Sequence, residues 1–440
     1  MSSSPTRESS TPEALDHVAG RWLARHEPEL GRMRRYLHAR PELGRQEFET
    51  TRYLAARLAE VGLRPVLLPH GCGLWVDVGP RADVALADAT APGRDATAPG
   101  RRRPTLLLRA DIDALPLDDE TETDYRSVTP GVSHACGHDV HTTILLGTGL
   151  ALAARHARTP LPGTVRLLFQ PAEELMPGGS LDAIDAGALA NVSCALALHC
   201  DPAIDVGKVG LRVGPVTAAS DQLEVTLRGP GGHTSRPQNT VDLVYALGRL
   251  VTELPATLTR LVDPRTALCV VWGQVSAGSV PNAIPRTALA RGTVRLLDRD
   301  TWRSAPDLVA RVAHQVVAPY GAEVSLSYTR GVPPVVNDPG LTHLFERAAV
   351  ASLGPEAVVS TGQSLGGEDF AWYLEHVPGA LARLGTRTPG GPTYDLHQGR
   401  FDVDERALGV GVHLLTAAAL LALDARAGVG PQNPPVRQDS

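Results

Sequence analysis

Short apolar strands that alternate with amphipathic helices are the feature that most constrains the fold of this 440-residue chain. Up to about residue 215, four segments have the length and apolar character of buried strands: LWVDVG, PTLLLRAD, GTVRLLFQ and CALALH. Helical patterns such as RYLAARLAEVG and HTTILLGTGLALAARH separate them. Apolar strands joined by helices are typical of a mostly parallel sheet that is covered on both faces. The sequence therefore predicts an α/β fold.

A second block, residues 216–330, has a different order of elements. Its patterns read strand (QLEVTLRG), helix, two strands (TALCVVWGQVSAG and TALARGTVRLL), helix and strand (EVSLSY). The order βαββαβ is that of a ferredoxin-like unit. We therefore expect a large domain formed by 13–215 and 331–426, with the block inserted into it as a lid that closes on a ligand through hinges. The Ser/Pro/Gly-rich tails, 1–12 and 427–440, are expected to be disordered.

The sequence DATAPGR occurs twice in tandem, at Asp88–Arg94 and Asp95–Arg101, between two predicted strands. Its composition indicates a flexible surface loop, to which we assign no function.

Composition and charge restrict the cellular compartment and the classes of binding partner that we expect. A net charge of −6 argues against a nucleic-acid partner, which calls for a basic face. The polar, acidic N-terminus shows no secretory signal, and no apolar run reaches the ~18 residues of a membrane span. The five dispersed cysteines are not a disulfide framework and favour a reducing compartment. We expect a cytoplasmic protein with no membrane span.

The segment SHACGHDVH, Ser133–His141, is the strongest local indication of chemistry. Thiolate and imidazole are good ligands for zinc-like ions, and Gly137 allows the backbone to turn so that Cys136 and His138 face one point. A single histidine or cysteine is usually structural, but this cluster lies where a strand passes into a helix, which is where open α/β sheets bind ligands. The segment therefore predicts a metal site.

Two pairs of acids follow predicted strands. Asp111 and Asp113 point the same way at the end of PTLLL, and they either bind metal or accept hydrogen bonds from histidine ligands. Glu173 and Glu174 follow GTVRLLFQ, where two adjacent carboxylates are costly unless a cation is near. One of these glutamates would then bind metal while the other serves as general base. Solvated acids on a loop or at a helix N-terminus are the simpler alternative.

His199 in CALALHCDP and His397 in YDLHQGRF each end a strand-like segment. Either one alone is more typical of a packed histidine. Together with Cys136, His138 and one glutamate of the pair, they make five candidate metal donors. That number suits two metal ions with positions left open for water and substrate.

The inserted block contributes His233 in GPGGHTSRP, Asn282 in VPNAIP and Arg295 in ARGTVR. An imidazole on a glycine-rich loop is suited to stabilise an oxyanion, and an arginine fork matches a carboxylate. A turn histidine and a surface arginine would show the same patterns.

Taken together, these motifs resemble the metal-dependent aminoacylase and hippurate-hydrolase family of amidohydrolases, which includes the indole-acetyl-amino-acid hydrolases. The likeness begins at RRYLHARPELGRQEFETT (Arg34–Thr51), continues through the motifs above, and includes EDF (Glu368–Phe370) and the Leu-His pair that ends at His397. It covers the chain from about 30 to 420, with the motifs in family order.

The resemblance implies a binuclear metal centre and a ferredoxin-like lid that forms a homodimer contact. The ligand positions that match the family are Cys136, His138, Glu174, His199 and His397. Zn or Mn is the expected metal, with Co or Ni as alternatives.

The same resemblance implies roles for the remaining residues. Glu173 matches the general base, and Asp113 matches the acid beside the metals. His233 matches a lid histidine that reaches the reaction centre of its own or of the partner subunit. Asn282 and Arg295 match contacts to the substrate carboxylate or the oxyanion.

The predicted activity is hydrolysis of the amide bond of N-acyl or N-aroyl amino acids. Two other classes stay open: an amidase that uses Cys136 as nucleophile, and a non-catalytic protein that binds an acyl amino acid.

Overall fold

The computed structural model describes residues 12–80 and 105–427. Both copies of the DATAPGR repeat, together with 1–11 and 428–440 of the expected tails, lie outside the described residues. Pro12 and Ala427, which we assigned to the tails, are the first and last residues of helices.

Nine α-helices are present in the described ranges: α1 (Pro12–His38), α2 (Phe48–Glu60), α3 (His138–Arg158), α4 (Ser180–Asp185), α5 (Leu243–Leu261), α6 (Arg299–Val317), α7 (Pro339–Leu353), α8 (Ala371–Leu374) and α9 (Arg406–Ala427). The same ranges hold sixteen strands: β1 (Val66–Leu67), β2 (Leu74–Val78), β3 (Thr105–Asp111), β4 (Thr164–Gln170), β5 (Val192–Asp205), β6 (Val209–Leu211), β7 (Gly214–Pro215), β8 (Ala219–Arg228), β9 (Gly232–His233), β10 (Cys269–Ala277), β11 (Ala283–Ile284), β12 (Thr287–Leu296), β13 (Glu323–Val332), β14 (Val336–Asn337), β15 (Val358–Ser360) and β16 (Gly379–Arg387).

Eight strands form the large sheet, in the order β1-β2-β4-β3-β5-β16-β6-β15. The central strands β4, β3, β5 and β16 are parallel to one another, and antiparallel pairs extend the sheet on both sides. Every residue of β3 and β4 is buried, because α1, α3 and α9 cover one face while α4 and α8 cover the other. The predicted mostly parallel α/β sheet is confirmed.

A second sheet of four antiparallel strands has the order β10-β12-β8-β13. With α5 and α6 it follows the predicted βαββαβ sequence, and its apolar side chains form a core of their own. Both helices are amphipathic and turn one apolar face to the sheet. Whether this unit acts as a lid stays a prediction.

Helix α9 is the one helix of the described chain that is long and apolar enough to cross a membrane. Its Arg406–Ala425 stretch has a mean hydropathy of 1.8, and 83% of the most apolar 18 residues in it are buried. It packs against α1, α3 and α7, and Leu414 and Val412 are fully enclosed there. Its position is that of a core helix.

Two details of the prediction were wrong. His199 does not end a strand, because β5 continues past it to Asp205. His397 follows no strand either: it lies in a turn after β16, with a φ of 60° in the left-handed region. Pairing with β16 extends β5 beyond His199.

The burial of α9 generates a stability prediction. Leu414→Ala should lower the free energy of unfolding by about 2–5 kcal/mol, because it leaves a cavity in the core. The matched change Leu261→Ala, at a side chain that is 53% exposed, should cost well under that. Chemical denaturation of both variants measures the difference, and equal costs would contradict the packing described for α9.

Candidate metal centre

A sharp turn before α3 sets Cys136 beside His138. Gly137 forms this turn with a φ of 84°, a conformation that side chains other than glycine rarely adopt. A Cβ at Gly137 would also lie 2.8 Å from the Sγ of Cys200. Both the conformation and the close approach therefore require glycine, and the turn delivers two donor side chains to one point.

The carboxyl ends of neighbouring strands supply further donors. β3 and β4 are parallel neighbours, so the residues that follow them, Asp113 and Glu174, emerge at the same edge of the sheet. There the backbone N–H of Glu174 donates to Oδ2 of Asp113 at 3.0 Å. His199 joins them from β5, which pairs with β3 on its other side.

The structure brings all five predicted ligand residues together. The Sγ of Cys136 is 3.7 Å from Nε2 of His199. Oε1 of Glu174 is 3.2 Å from Nε2 of His397 and 3.9 Å from Nε2 of His138. Donor atoms of Cys136, His138 and His199 lie within 4.8 Å of one another, as do those of Cys136, Glu174 and His397. Two overlapping groups that share a cysteine provide room for two ions.

The hydrogen bonds of the histidines leave the correct nitrogen atoms available for metal. Nδ1 of His138 donates to the carbonyl oxygen and carboxylate of Asp113, at 3.0 and 3.2 Å, and Nδ1 of His199 donates to the carbonyl oxygen of Cys200 at 2.8 Å. In the neutral form of each ring, Nε2 is then an acceptor. Nε2 of His138 is enclosed with no hydrogen-bond partner among the described residues, and the enclosed Oε1 of Glu174 has only its 3.2 Å contact with Nε2 of His397. Such atoms fit a bound cation.

The donors differ in how easily they lose a proton. Although burial opposes it, the carboxylate of Asp111 raises the pKa of His138 well above its usual value, and the hydrogen bond with Glu174 raises the pKa of His397, so a metal would displace a proton from both rings. Burial, helped by the positive charge of Arg383, lowers the pKa of His199, so its ring is neutral as a ligand must be. Burial raises the pKa of the Cys136 thiol, which means that a metal binding there displaces a proton.

His141 and Asp111 lie beside the cluster but have partners of their own. Nδ1 of His141 is 2.6 Å from Oδ1 of Asp111, and its Nε2 accepts from the backbone N–H of Cys200 at 2.8 Å. Asp113 likewise accepts from His138. Of the two roles considered for the aspartates, these contacts favour holding histidines over binding metal.

Glu173 is half-buried beside the cluster, and its carboxylate forms a group with those of Glu368 and Asp369 in which all atoms lie within 4.8 Å. Burial, together with the neighbouring Glu368 and Glu174 carboxylates, raises the pKa of Glu173. So many carboxylates in one place create an excess of negative charge that divalent cations would offset.

One residue that the sequence reasoning missed holds this region together. Arg109 is buried in β3, and its guanidinium donates to Asp111 at 2.7 Å, Gln170 at 2.9 Å and Asp369 at 2.5 Å, while lying 3.1 Å from Glu368. The indication in the sequence was a charged residue inside the otherwise apolar strand PTLLLRAD. The acids of the EDF motif, Glu368 and Asp369, have no role that the sequence predicts, and no local pattern shows that they contact Arg109.

The three predicted residues of the inserted block are not part of the cluster. His233 is exposed, and its Nδ1 lies 2.9 Å from the hydroxyl of Ser235 within the same loop. Asn282 is exposed as well, and its carbonyl oxygen accepts from the N–H of Thr234. Arg295 donates to the carbonyl oxygen of Leu365 at 2.5 Å, in the loop that leads to Glu368. Arg295 therefore links the small sheet to the edge of the candidate site.

Comparison with known proteins identifies the family. The chain matches Peptidase family M20/M25/M40 over residues 107–421. An N-acetyl-L-cysteine deacetylase of Bacillus subtilis is 35% identical over 405 residues, which cover 91% of this chain and 90% of that protein. A crystal structure of a Bacillus subtilis dinuclear metal-binding peptidase of the M20 family matches with a TM-score of 0.76 at 33% identity, covering 90% of this chain and 98% of that one.

A longer protein of Rhodococcus jostii, which has the provisional name of a glutamate–cysteine ligase, is 46% identical over 395 residues. That match covers 90% of this chain but only 47% of the relative, so the chain spans about half of its length. The provisional name belongs to that longer protein and is not transferred to this chain.

The resemblance found in the motifs is confirmed, and with it the enzyme class of metal-dependent amidohydrolase. The match extends over more than half of the sequence and includes the central parallel strands except for the first two residues of β3. The chain belongs to Peptidase family M20/M25/M40.

Proposed function

We propose that this protein hydrolyses the amide bond of N-acyl or N-aroyl amino acids, with Glu173 as general base. The observation that carries the proposal is the position of Glu173, whose carboxylate lies within 4.8 Å of donor atoms of His138 and Glu174. The relative named as a deacetylase of N-acetyl-L-cysteine supports the substrate class.

We further propose that Cys136, His138, Glu174, His199 and His397 hold two divalent ions, Zn or Mn with Co or Ni as alternatives. The two overlapping donor groups and the dinuclear neighbour support this number. Such ions polarise a carbonyl and lower the pKa of a water molecule.

In this mechanism Glu173 takes the proton of the attacking water and later delivers it to the leaving amine nitrogen. Its raised pKa suits a group that must both accept and return a proton. Asp113 keeps the ring of His138 in one tautomer through the two contacts to Nδ1. His233 would stabilise the negative charge on the carbonyl oxygen during attack.

Asn282 and Arg295 are proposed to bind the substrate's carboxylate. Arg295 uses one N–H for the carbonyl oxygen of Leu365, which leaves other donors of its guanidinium for a ligand. The contact also places the arginine next to the loop that carries Glu368. Both residues lie on the inserted unit, which we propose to close over the site as a lid.

A homodimer through the small sheet is the proposed assembly. β10 is an edge strand that pairs only with β12 within its sheet. Val271 and Val275 on this strand are 57% and 52% exposed, and an unpaired apolar edge strand can pair with the same strand of a second subunit.

The cytoplasmic location that we propose agrees with five free cysteines, four of them buried.

Replacement of the base gives the first test of the mechanism. Glu173→Gln should lower kcat about 10²- to 10⁴-fold while the bound metal stays, because the amide cannot accept the proton. Glu174→Gln, the matched control one residue away, should instead lower the metal content. Turnover of an acyl-amino-acid panel and elemental analysis give both quantities, and substantial activity of metal-loaded Glu173→Gln would remove Glu173 from this role.

Metal removal separates the proposal from a cysteine-nucleophile amidase. Dialysis against a chelator should abolish activity and lower the unfolding temperature, and Zn or Mn should restore both. The experiment is best done in Cys269→Ala, which removes the one exposed cysteine and so limits side reactions of alkylating reagents. Full activity after chelation, with loss on alkylation of Cys136, would favour the nucleophile instead. Absence of turnover across a broad panel with metals bound would favour a binding protein.

The assembly has a prediction of its own. Light scattering should give twice the 46.5 kDa of the chain. If His233 completes the partner's site, co-expressed Glu173→Gln and His233→Ala subunits should recover up to about a quarter of wild-type activity, since roughly half of random dimers are mixed and each has one intact site. No recovery, with mixed dimers present, would assign His233 to its own subunit's site.

A further inference from the structure

Four arginines are buried in the described part of the chain, and three of them are paired with acids. Arg34 contacts Asp139, Arg109 contacts Asp111 and Asp369, and Arg166 contacts Asp77, each at 2.8 Å or less. The fourth, Arg383, is 9% exposed. Its guanidinium makes neither an ion pair nor a hydrogen bond with any residue that the structure describes.

An unpaired buried charge is expensive. Removing a cation from water costs several kcal/mol unless an anion or hydrogen bonds replace the lost solvation, and the three other buried arginines satisfy this condition. Arg383 does not, yet its nitrogen atoms are not among the enclosed polar atoms that lack a partner. Its guanidinium therefore still reaches an open space.

The position of Arg383 in the sheet shows where that space lies. Arg383 on β16 is in register with His199 on β5, and side chains at paired positions of neighbouring strands point to the same face. His199 is a proposed metal ligand. Strands lie about 4.8 Å apart, so the arginine leaves the sheet next to the metal cluster.

The acids on the neighbouring strands do not pair with it. Asp201, two residues beyond His199 on the same face of β5, accepts from the backbone N–H of Ala203 and forms no ion pair with Arg383. The residue opposite Arg383 on β6 is Gly210, which has no side chain. Asp205, further along β5, is occupied by Arg387 at 2.7 Å. With the acids of the cluster committed to cations, an additional positive charge here is favourable only if an anion binds.

We propose that Arg383 is a substrate-binding residue whose guanidinium binds a carboxylate of the amide substrate. The inference rests on the proposed amide hydrolysis and adds a second cationic contact, on the sheet side of the site, to that of Arg295. The carboxylate is either the one on the amino acid or one carried by the acyl group, as in an amide of a dicarboxylic acid. A guanidinium can grip either with two parallel hydrogen bonds.

Three compounds distinguish the sources of the carboxylate. N-acetyl-L-alanine carries it on the amino acid, N-succinyl-L-alaninamide carries it on the acyl group, and N-acetyl-L-alaninamide has none. Their dissociation constants are measured by calorimetry on Zn-loaded full-length Glu173→Gln, which prevents turnover, with and without Arg383→Met. Arg383→Met should weaken binding of one of the two charged compounds about 10- to 100-fold and leave the neutral amide unchanged.

Loss for the first charged compound alone assigns the amino-acid carboxylate, and loss for the second alone assigns the acyl group. Arg383→Lys, which keeps the charge but not the fork, should recover part of the affinity. Equal effects on all three compounds, or no effect on any, would overturn the proposal. So would equal binding of charged and neutral compounds before Arg383 is changed.

Stability provides an independent readout. Because Arg383 has no partner in the protein, Arg383→Met should leave the unfolding temperature unchanged or raise it. The control Arg166→Met breaks the pair with Asp77 and should lower it. If both variants lost stability equally, Arg383 would be a structural residue. Failure of the proposed hydrolysis would show separately, as absence of turnover by metal-loaded wild-type enzyme on the same compounds.

Discussion

Charge compensation at one edge of a buried sheet is the constraint on which the rest of this structure depends. Parallel strands deliver their carboxyl ends to a common edge, and here those ends carry Asp113, Glu173 and Glu174. Carboxylates packed this closely repel each other and lose solvation, so the fold requires cations among them. One is provided permanently by Arg109. The remaining excess of negative charge is what a pair of divalent ions would neutralise.

Much of this could be read from the sequence because it is local. Strand and helix patterns follow from residue periodicity, and the turn at Gly137 follows from a motif of nine residues, so the parallel sheet, the βαββαβ unit and Cys136 with His138 were all foreseeable. That acids follow β3 and β4 was visible too, and adjacency of strand ends in such sheets then predicts that they meet.

What the sequence could not supply depends on register and on contacts between distant segments. Nothing near Glu368 indicates that it meets Arg109, and nothing near Arg383 indicates that it is the buried arginine without an acid. Strand pairing sets both relations: a shift by one residue would turn Arg383 to the opposite face, away from His199. His397 was identified by its motif, but its left-handed turn conformation was not, because a positive φ at a residue other than glycine has no mark in the local sequence.

The separation of the site's components along the chain determines when the enzyme can be assembled. The contact from Arg109 to Asp369 spans 260 residues, and His397 follows later still. Closing such loops is slow, and a ribosome releases His397 only when most of the polypeptide has been made. The small βαββαβ unit has a core of its own, and all of its residues precede His397 in the chain. With His397 among the proposed ligands, metal acquisition would be a late event in the biogenesis of this protein, and a truncated product that lacks α9 and the preceding turn would lack one of the five proposed ligands.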